Sequence, residues 1–262
     1  MEFRPDRPPV FGLQGAANVL VTGASSGIGL AMLGQLLEHR HVARAFAVSR
    51  SATRSDALVE LRRQHGERLE CLDADLTREE DMERLSRVMQ CVDALHLVVN
   101  AAGILHDGIL APEKSVEQVR RDSLERVFAL NAFAPVMLAR ALMPQLCGRH
   151  PAVFASLSAR VGSIGDNRAG GWYAYRASKA AQNQLMKTFS IEWRRRNRLG
   201  VCLLLHPGTV DTPLSTPFQV RVPADRLFEP AAAAANLLDL IAGMTAADSG
   251  RFLAWDGTDV PW

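Results

Sequence analysis

The sequence predicts an α/β fold in which a seven-stranded parallel sheet carries helices on both faces. Short apolar runs alternate along the chain with longer segments whose apolar residues recur at helical spacing. This alternation is typical of βαβ units and a parallel sheet. The chain has 262 residues and contains no internal repeat and no low-complexity linker, so it is predicted to form one domain.

The strands and helices follow one another in a regular order. The strands are the short apolar runs bounded by turn residues, at 18–21, 43–48, 69–72, 95–99, 152–157, 201–205 and 252–255. The helices are the periodic segments at 28–37, 56–63, 79–88, 116–146, 173–196 and 231–241. Pro135 and Pro144 predict a kink or break in the fourth helix. Right-handed crossovers place the carboxyl ends of all strands at one edge of the sheet, where ligands of such folds bind.

Composition and charge exclude several classes of protein. Thirty basic and 28 acidic residues leave a net charge of +2, which does not favour nucleic acid or a membrane surface as a partner. No apolar run approaches the roughly 20 residues of a membrane span. The four cysteines and the histidines show no metal-binding spacing, so we expect no metal and a reducing, cytoplasmic location. Residues 1–16 are predicted to be an extended leader and 17–262 the folded domain.

A glycine-rich turn follows the first strand and opens the first helix. Its spacing is G-x-x-x-G-x-G, and such a turn lets backbone N–H groups approach a pyrophosphate at the helix N-terminus. The alternative is a tight turn whose glycines serve only the packing of the helix. We predict phosphate binding, and the predicted cofactor contacts in this turn are Gly23, Ser25, Ser26, Gly27, Ile28 and Gly29.

The end of the second strand predicts which nucleotide is bound. Ser49 and Arg50 stand where an acidic residue would hold ribose hydroxyl groups, and an arginine at this place accommodates a 2′-phosphate. The alternative is a solvated arginine. At the end of the third strand, Asp75 and Leu76 are predicted cofactor contacts. A carboxylate there would accept from the adenine amino group, although Asp75 is equally suited to cap the next helix.

The fourth strand and the last long helix carry the remaining candidates. Asn100, Ala101 and Gly103 follow the fourth strand, and small residues there allow the backbone to lie against a flat cofactor. Tyr175 and Lys179 are four residues apart at a helix start and therefore share one face. A neighbouring ammonium lowers the pKa of a phenol and makes it a useful acid or base, although an ordinary surface pair has the same spacing.

In combination these motifs resemble the short-chain dehydrogenase/reductase family of the compact, single-domain type. The glycine turn, Asn-Ala-Ala-Gly at 100–103, Tyr-x-x-x-Lys at 175–179 and the run His-Pro-Gly-Thr-Val-Asp-Thr-Pro at 206–213 stand in the family's order and cover residues 17–258. The segments 162–173 and 256–262 resemble the sniffer and C-factor carbonyl-reductase branch. The resemblance implies a doubly wound, Rossmann-type fold.

The resemblance also implies roles for individual residues. Tyr175 would be the general acid, Lys179 would hold the nicotinamide ribose, and Asn131 would support a proton-relay water. Thr212 would bind the nicotinamide amide, and the further cofactor contacts of this segment are Pro207, Gly208 and Val210.

The serine that orients the substrate is less clearly marked. Counting back from Gly162 puts Ala159 where the second of two family serines is expected. Ser158 is our candidate because it lies nearest the strand end, and Ser156 and Ser163 are the alternatives.

We therefore expect an enzyme that reduces a ketone or aldehyde with NADPH. The substrate would be a small molecule bound between residues 160–172 and 214–228, under a lid at 213–229. Two alternatives are a cofactor-binding signalling protein with little turnover and an NAD-dependent alcohol dehydrogenase. Family members commonly pair through the two long helices, so a homodimer or homotetramer is expected.

Overall fold

A computed structural model describes residues 6–262 of the chain. Its main sheet has seven parallel strands in the order β3-β2-β1-β4-β5-β6-β9, which confirms the predicted doubly wound fold. The strands of this sheet are β1 (Ala17–Thr22), β2 (Val42–Ser49), β3 (Leu69–Asp73), β4 (Leu97–Asn100), β5 (Ala152–Leu157), β6 (Gly200–His206) and β9 (Arg251–Ala254). Two further short strands, β7 (Thr209–Val210) and β8 (Leu227–Phe228), pair with each other.

Helices cover both faces of the main sheet. They are α1 (Gly27–Glu38), α2 (Asp56–His65), α3 (Glu79–Met89), α4 (Arg121–Phe128), α5 (Ala134–Ala141), α6 (Met143–Leu146), α7 (Tyr173–Trp193) and α8 (Pro230–Gly243). One buried apolar cluster joins α1, α2 and α8 to the sheet, and a second joins α3, α5, α6 and α7 to the opposite face. The strands are apolar on both faces because both faces are covered.

The predicted helix at 116–146 is interrupted, as its prolines indicated. A π-helical turn, Ala129–Phe133, separates α4 from α5. Pro135 lies in the first turn of α5, directly after the π-helical turn, and has no N–H to continue the helical hydrogen bonds. Such π-turns inside helices frequently mark functional sites, and this one contains Asn131.

The sheet order fixes where a ligand can bind. From β1 the chain runs outwards to β3 and then returns to the other side of β1 as β4, which creates a topological switch point at the carboxyl edge. In the registers of β1 with β4 and of β4 with β5, Thr22 stands opposite Asn100 and Asn100 opposite Ser156. The polar ends of three adjacent strands therefore meet at this edge.

Two segments, the predicted leader and the predicted lid, lie outside the main sheet and its helices. Residues 1–5 of the predicted leader lie outside the described residues, and residues 6–16 form turns and bends from which Val10 and Leu13 pack into the core. The predicted lid contains β8 and two short 3₁₀ segments, Thr216–Arg221 and Ala224–Arg226. Pairing of β8 with β7 ties the lid to the segment after β6, a contact that the sequence did not predict.

Candidate active site

The glycine turn between β1 and α1 leaves no room for side chains at two positions. Gly23 has φ +65°, and a Cβ atom there would lie 2.8 Å from the backbone nitrogen of Ala102. A Cβ atom on Gly29 would lie 2.3 Å from the carbonyl oxygen of Gly23. The turn is thus pressed against the chain that follows β4, and only glycine allows this approach.

The N-terminus of α1 is open to an anion. Ser26 is the N-cap residue, but its side chain makes no capping hydrogen bond, and the first turn of the helix contains no acidic residue. The first N–H groups and the positive end of the helix dipole are therefore available to a phosphate. A Cβ atom on Gly27 would lie 3.1 Å from Cγ2 of Thr212, so the segment after β6 closes the groove from the other side.

The end of β2 offers groups that fit the far end of a dinucleotide. Ser49 Oγ is buried and has no hydrogen-bond partner among the described residues. Arg50 is exposed and forms no ion pair within residues 6–262. At the end of β3, Asp75 Oδ1 accepts hydrogen bonds from the backbone N (2.9 Å) and Oγ1 (2.7 Å) of Thr77, in the loop that leads into α3. Leu76 beside it is buried. The glycine cradle and the unpartnered serine fit a dinucleotide.

Tyr175 and Lys179 lie together on the first two turns of α7, and both are buried. Nζ of Lys179 lies 5.9 Å from the centroid of the Tyr175 ring and donates a hydrogen bond of 2.9 Å to the carbonyl oxygen of Leu157. Burial raises the pKa of Tyr175 to about 12 and lowers the pKa of Lys179 to about 7. In the protein alone, Tyr175 is therefore a phenol at neutral pH. The sequence analysis expected the Lys179 ammonium to lower this pKa, and that expectation is wrong for the protein alone, because burial raises it.

Asn131, in the π-helical turn, lies near Lys179. Its Oδ1 accepts a hydrogen bond from the backbone N of Ile104 (2.8 Å), and its Nδ2 donates to the carbonyl oxygen of that residue (2.8 Å). A Cβ atom on Gly103 would lie 3.3 Å from Asn131 Oδ1 and 3.8 Å from Lys179 Nζ. Asn131 and Lys179 therefore both lie close to Gly103, in the loop that follows β4.

The three candidate serines all have partners. Ser156 Oγ accepts hydrogen bonds from Asn100 Nδ2 (2.9 Å) and from Gln182 Nε2 (2.7 Å). Ser158 Oγ donates to Asn183 Oδ1 at 2.6 Å. Ser163 Oγ accepts from the backbone N of Asp166 (3.1 Å). Asn183 Nδ2 is buried and has no partner among the described residues, so rotation of the Asn183 amide or of the Ser158 hydroxyl group would free that hydroxyl to donate to a substrate.

An aromatic cover lies over Tyr175, and the sequence analysis did not name it. The ring of Trp172 lies edge-on to the Tyr175 ring at 6.2 Å and to the Phe218 ring of the lid at 4.8 Å. His106 contacts Phe218 at 5.7 Å, and its Nε2 lies 3.1 Å from the carbonyl oxygen of Pro213. Because a carbonyl oxygen only accepts, Nε2 carries the proton in this contact. These contacts close the lid over the tyrosine.

Glu113 supplies the N-terminal cap that α7 lacks. The N-cap residue of α7 is Trp172, which has no capping side chain and adopts a left-handed conformation (φ 53°). Glu113 is buried, and its Oε2 accepts a hydrogen bond of 3.2 Å from the backbone N of Ala174, while its backbone oxygen accepts from the N of Trp172. A carboxylate at this end also complements the helix dipole. The loop after β4 therefore fixes the start of the helix that carries Tyr175.

The family of the chain follows from comparison with known proteins. The model of the short chain dehydrogenase family matches residues 17–221. The chain therefore belongs to the short-chain dehydrogenase family, whose members are oxidoreductases. The resemblance to the C-factor branch is also confirmed, because the C-signal protein is among the curated relatives.

Two curated relatives and two solved structures illustrate this placement. The C-signal protein of Myxococcus xanthus is 32% identical over 172 residues, which are 66% of this chain and 95% of that protein. A 1-hydroxy-2-glutathionyl-2-methyl-3-butene dehydrogenase of a Rhodococcus species is 34% identical over 191 residues, which are 72% and 78% of the two chains. An NADPH-bound carbonyl reductase from chicken fatty liver superposes with a TM-score of 0.82 at 26% identity, over 95% of this chain and all of that one. Sniffer carbonyl reductase of D. melanogaster shares the fold, with a TM-score of 0.81 at 24% identity and the same coverage.

Among residues 6–262, no helix is long and apolar enough to cross a membrane. In the same part of the chain, no three histidine, cysteine, aspartate or glutamate side chains are grouped so that they could hold a metal ion.

Proposed function

We propose that this protein reduces a ketone or aldehyde carbonyl by hydride transfer from NADPH. The observation that carries the proposal is the buried pair of Tyr175 and Lys179, which stands beside Gly103 at the same sheet edge as the open glycine turn. A phenol that is protonated at neutral pH suits reduction, in which the carbonyl oxygen must gain a proton. The likeness to an NADPH-bound carbonyl reductase supports the same reaction.

The residues of the chain divide the work in this proposal. NADPH, when bound, supplies the hydride that the carbonyl carbon accepts. The hydroxyl group of Tyr175 donates its proton to the carbonyl oxygen, and the ammonium of Lys179 stabilises the phenolate that remains. The glycine turn holds the phosphates, Asn100, Ala101 and Gly103 lie along the cofactor, and the segment 207–212 closes on the nicotinamide end.

Arg50 is the residue that would make the protein prefer NADPH over NADH. A guanidinium binds a 2′-phosphate with two parallel, charge-assisted hydrogen bonds. Arg50 is exposed beside the unpartnered Ser49 hydroxyl, and no acidic side chain stands at these two positions to hold ribose hydroxyl groups. For the same reason the NAD-dependent alcohol dehydrogenase is the weaker alternative.

The second candidate function is cofactor binding with little turnover. The specific observation in its favour is that the Ser158 hydroxyl group donates its hydrogen bond to Asn183 Oδ1, while Ala159 beside it has no hydroxyl group. A carbonyl oxygen would then meet one donor, Tyr175, where a second was expected. A role of this kind fits the likeness to the C-signal protein, whose name describes a signal.

One experiment separates the two functions. The purified chain is given NADPH and a diverse panel of ketones and aldehydes, nicotinamide absorbance reports turnover, and nicotinamide fluorescence reports binding. Turnover of at least one carbonyl compound, lost in Tyr175→Phe while binding persists, supports the reductase. Tight NADPH binding without turnover across the panel contradicts the reductase and favours the binding protein.

The proposal includes self-association and a cytoplasmic location. The apolar side chains of Phe133, beside α5, and Ile191, on α7, are exposed on the two helical regions that we expect to pair in a homodimer or homotetramer. All four cysteines are free, as a reducing compartment requires. Sedimentation of the purified chain tests the first point, because a monomer at micromolar concentration would contradict it.

A further inference from the structure

A buried chain of hydrogen bonds runs from β1 across the sheet to α7. Thr22 Oγ1 donates to Asn100 Oδ1 (2.7 Å), and Asn100 Nδ2 donates to Ser156 Oγ (2.9 Å). Gln182, seven residues after Tyr175 on α7, donates from Nε2 to the same Ser156 Oγ (2.7 Å). These side chains stand at the ends of β1, β4 and β5, where the cofactor is proposed to lie.

The amide of Gln182 has only one orientation that is compatible with these hydrogen bonds. Its Nε2 also donates to the carbonyl oxygen of Leu157 (3.2 Å), and its Oε1 accepts from Lys179 Nζ (2.8 Å). A flipped amide would bring its NH₂ group against the Lys179 ammonium and its oxygen against the Leu157 oxygen. The network therefore fixes the Gln182 carbonyl as an acceptor for Lys179.

Lys179 depends on this acceptor because its surroundings hold no compensating charge. Within residues 6–262 no carboxylate forms an ion pair with it, and its two acceptors are the neutral oxygens of Leu157 and Gln182. The groups that face it from the loops are glycine backbone: a Cβ atom on Gly103 would lie 3.8 Å from Lys179 Nζ, and one on Gly162 would lie 2.7 Å from Lys179 Cβ. The titratable neighbour on its own helix is Tyr175. Losing one of the two acceptors would leave a buried ammonium with a single acceptor for its three N–H donors.

We propose that Gln182 is a positioning residue for Lys179. Its side-chain oxygen holds the Lys179 ammonium beside Tyr175, and its NH₂ group is itself fixed by Ser156 and Leu157 at the end of β5. The inference deepens the proposed reductase function and rests on it for its catalytic meaning. The contact between Gln182 and Lys179 itself can be tested without any turnover.

The test uses the small number of lysines in the chain. Lys114, Lys179 and Lys187 are its three lysines, so the ¹⁵Nζ signals of selectively labelled protein are few, and Lys179→Met identifies one of them. In Gln182→Met, which keeps the length of the side chain but removes the acceptor, the Lys179 pKa should fall by about one to two units, the worth of one hydrogen bond to a charged group. In Gln182→Glu, which keeps an acceptor and adds a negative charge, it should rise.

Gln184→Met is the matched control. Gln184 lies on the same helix but is exposed and contacts Thr188, so the Lys179 titration should not move. If Gln182→Met does not fold, the rise expected in Gln182→Glu decides the question. A Lys179 titration that stays within a few tenths of a pKa unit in every folded Gln182 variant overturns the proposal.

The NADPH-dependent activity then separates this inference from the proposed function. A shifted Lys179 titration together with full turnover in Tyr175→Phe would refute the proposed mechanism and leave the lysine contact standing. An unshifted titration, with turnover lost in Tyr175→Phe, would refute the role of Gln182 alone. If both hold, the pH profile of kcat/KM should move in Gln182→Met and stay in place in Gln184→Met.

Discussion

The two halves of the candidate site are built in opposite ways. The nucleotide half comprises the glycine turn at 23–29 and the end of β2. Within residues 6–262 it presents open groups: an uncapped helix N-terminus, a Ser49 hydroxyl group without a hydrogen-bond partner and an Arg50 side chain without an ion pair. The catalytic half, which comprises the start of α7 with Asn131 and the end of β5, is buried. Asn131, Ser158 and Lys179 in it are each held by a side-chain hydrogen bond, whereas Asn183 Nδ2 has no partner among the described residues.

The difference reflects what each half has to do. A group that receives a phosphate or ribose gains its partner when the cofactor binds, so it is left free until then. A group that must hold a proton donor within a fraction of an ångström is instead locked by its neighbours. Changes in the nucleotide half should therefore alter cofactor choice, and changes in the catalytic half should alter turnover or stability.

The largest effect is expected from Tyr175→Phe in the catalytic half. The substitution keeps the ring that packs against Trp172 but removes the proton, so turnover should fall by roughly 10²–10⁴. Affinity for NADPH, measured by fluorescence, should hardly change. Tyr173→Phe is the control, because Tyr173 is exposed beside the same helix start and its loss should be mild. Near-normal turnover in Tyr175→Phe would contradict the mechanism.

Ser158→Ala tests whether the Ser158 hydroxyl group exchanges its hydrogen bond to Asn183 for one to the substrate. If Ser158 leaves Asn183 to donate to the developing oxyanion, turnover should fall by roughly 10²–10³ while NADPH affinity is kept. Steady-state kinetics and thermal unfolding are measured on the same samples. A variant that loses stability but keeps its turnover would show that Ser158 serves the fold. Damage confined to Ser156→Ala or Ser163→Ala would move the role to those residues.

The fold and the geometry of the glycine turn could be predicted because their signals are local. Alternating apolar runs and helical periods predicted the seven strands, and a strand followed by a glycine turn and a helix gave the position of Gly23 and Gly29. The spacing of Tyr175 and Lys179 placed them on one helix face. Gln182 carried the same signal, since it lies three residues after Lys179, but the sequence analysis did not use it.

The cover and cap of the catalytic half could not be predicted from the sequence, because they depend on distant contacts. Glu113 caps α7 from a loop 61 residues away, and nothing beside Glu113 in the sequence indicates that partner. Phe218 reaches Trp172 because β8 pairs with β7, a two-residue ladder with no periodicity to detect. Ser158 was chosen by its place in the strand, and its bond to Asn183 is a tertiary contact.

In the nucleotide half, Arg50→Asp should reverse the choice of cofactor. Hydrogen bonds to charged groups contribute about 1.5–3 kcal/mol, which predicts a preference of the parent for NADPH over NADH of roughly 10- to 150-fold. We expect the lower half of this range, because neither Ser25 nor Ser26 adds a second cation. The aspartate would repel the 2′-phosphate and accept hydrogen bonds from ribose hydroxyl groups. The ratio of kcat/KM for the two cofactors measures the change, and a ratio that does not move would show that Arg50 is only solvated.

The last expected effect is on stability, because burying Lys179 in the catalytic half has a cost. The folded protein holds the pKa of Lys179 near 7, whereas an unfolded lysine titrates near 10.4. Between these values the unfolded chain binds more protons, so the free energy of unfolding of the parent should increase as the pH rises from about 7 to 10. Lys179→Met lacks this dependence. The difference in Tm between variant and parent should therefore shift in favour of the parent over that range, by roughly 2–4 °C for each kcal/mol.

Lys114→Met replaces an exposed lysine and is the control. A difference for Lys179→Met that does not change with pH would show that the ammonium is fully compensated by its two oxygen acceptors, and that rigidity in this half carries no electrostatic cost.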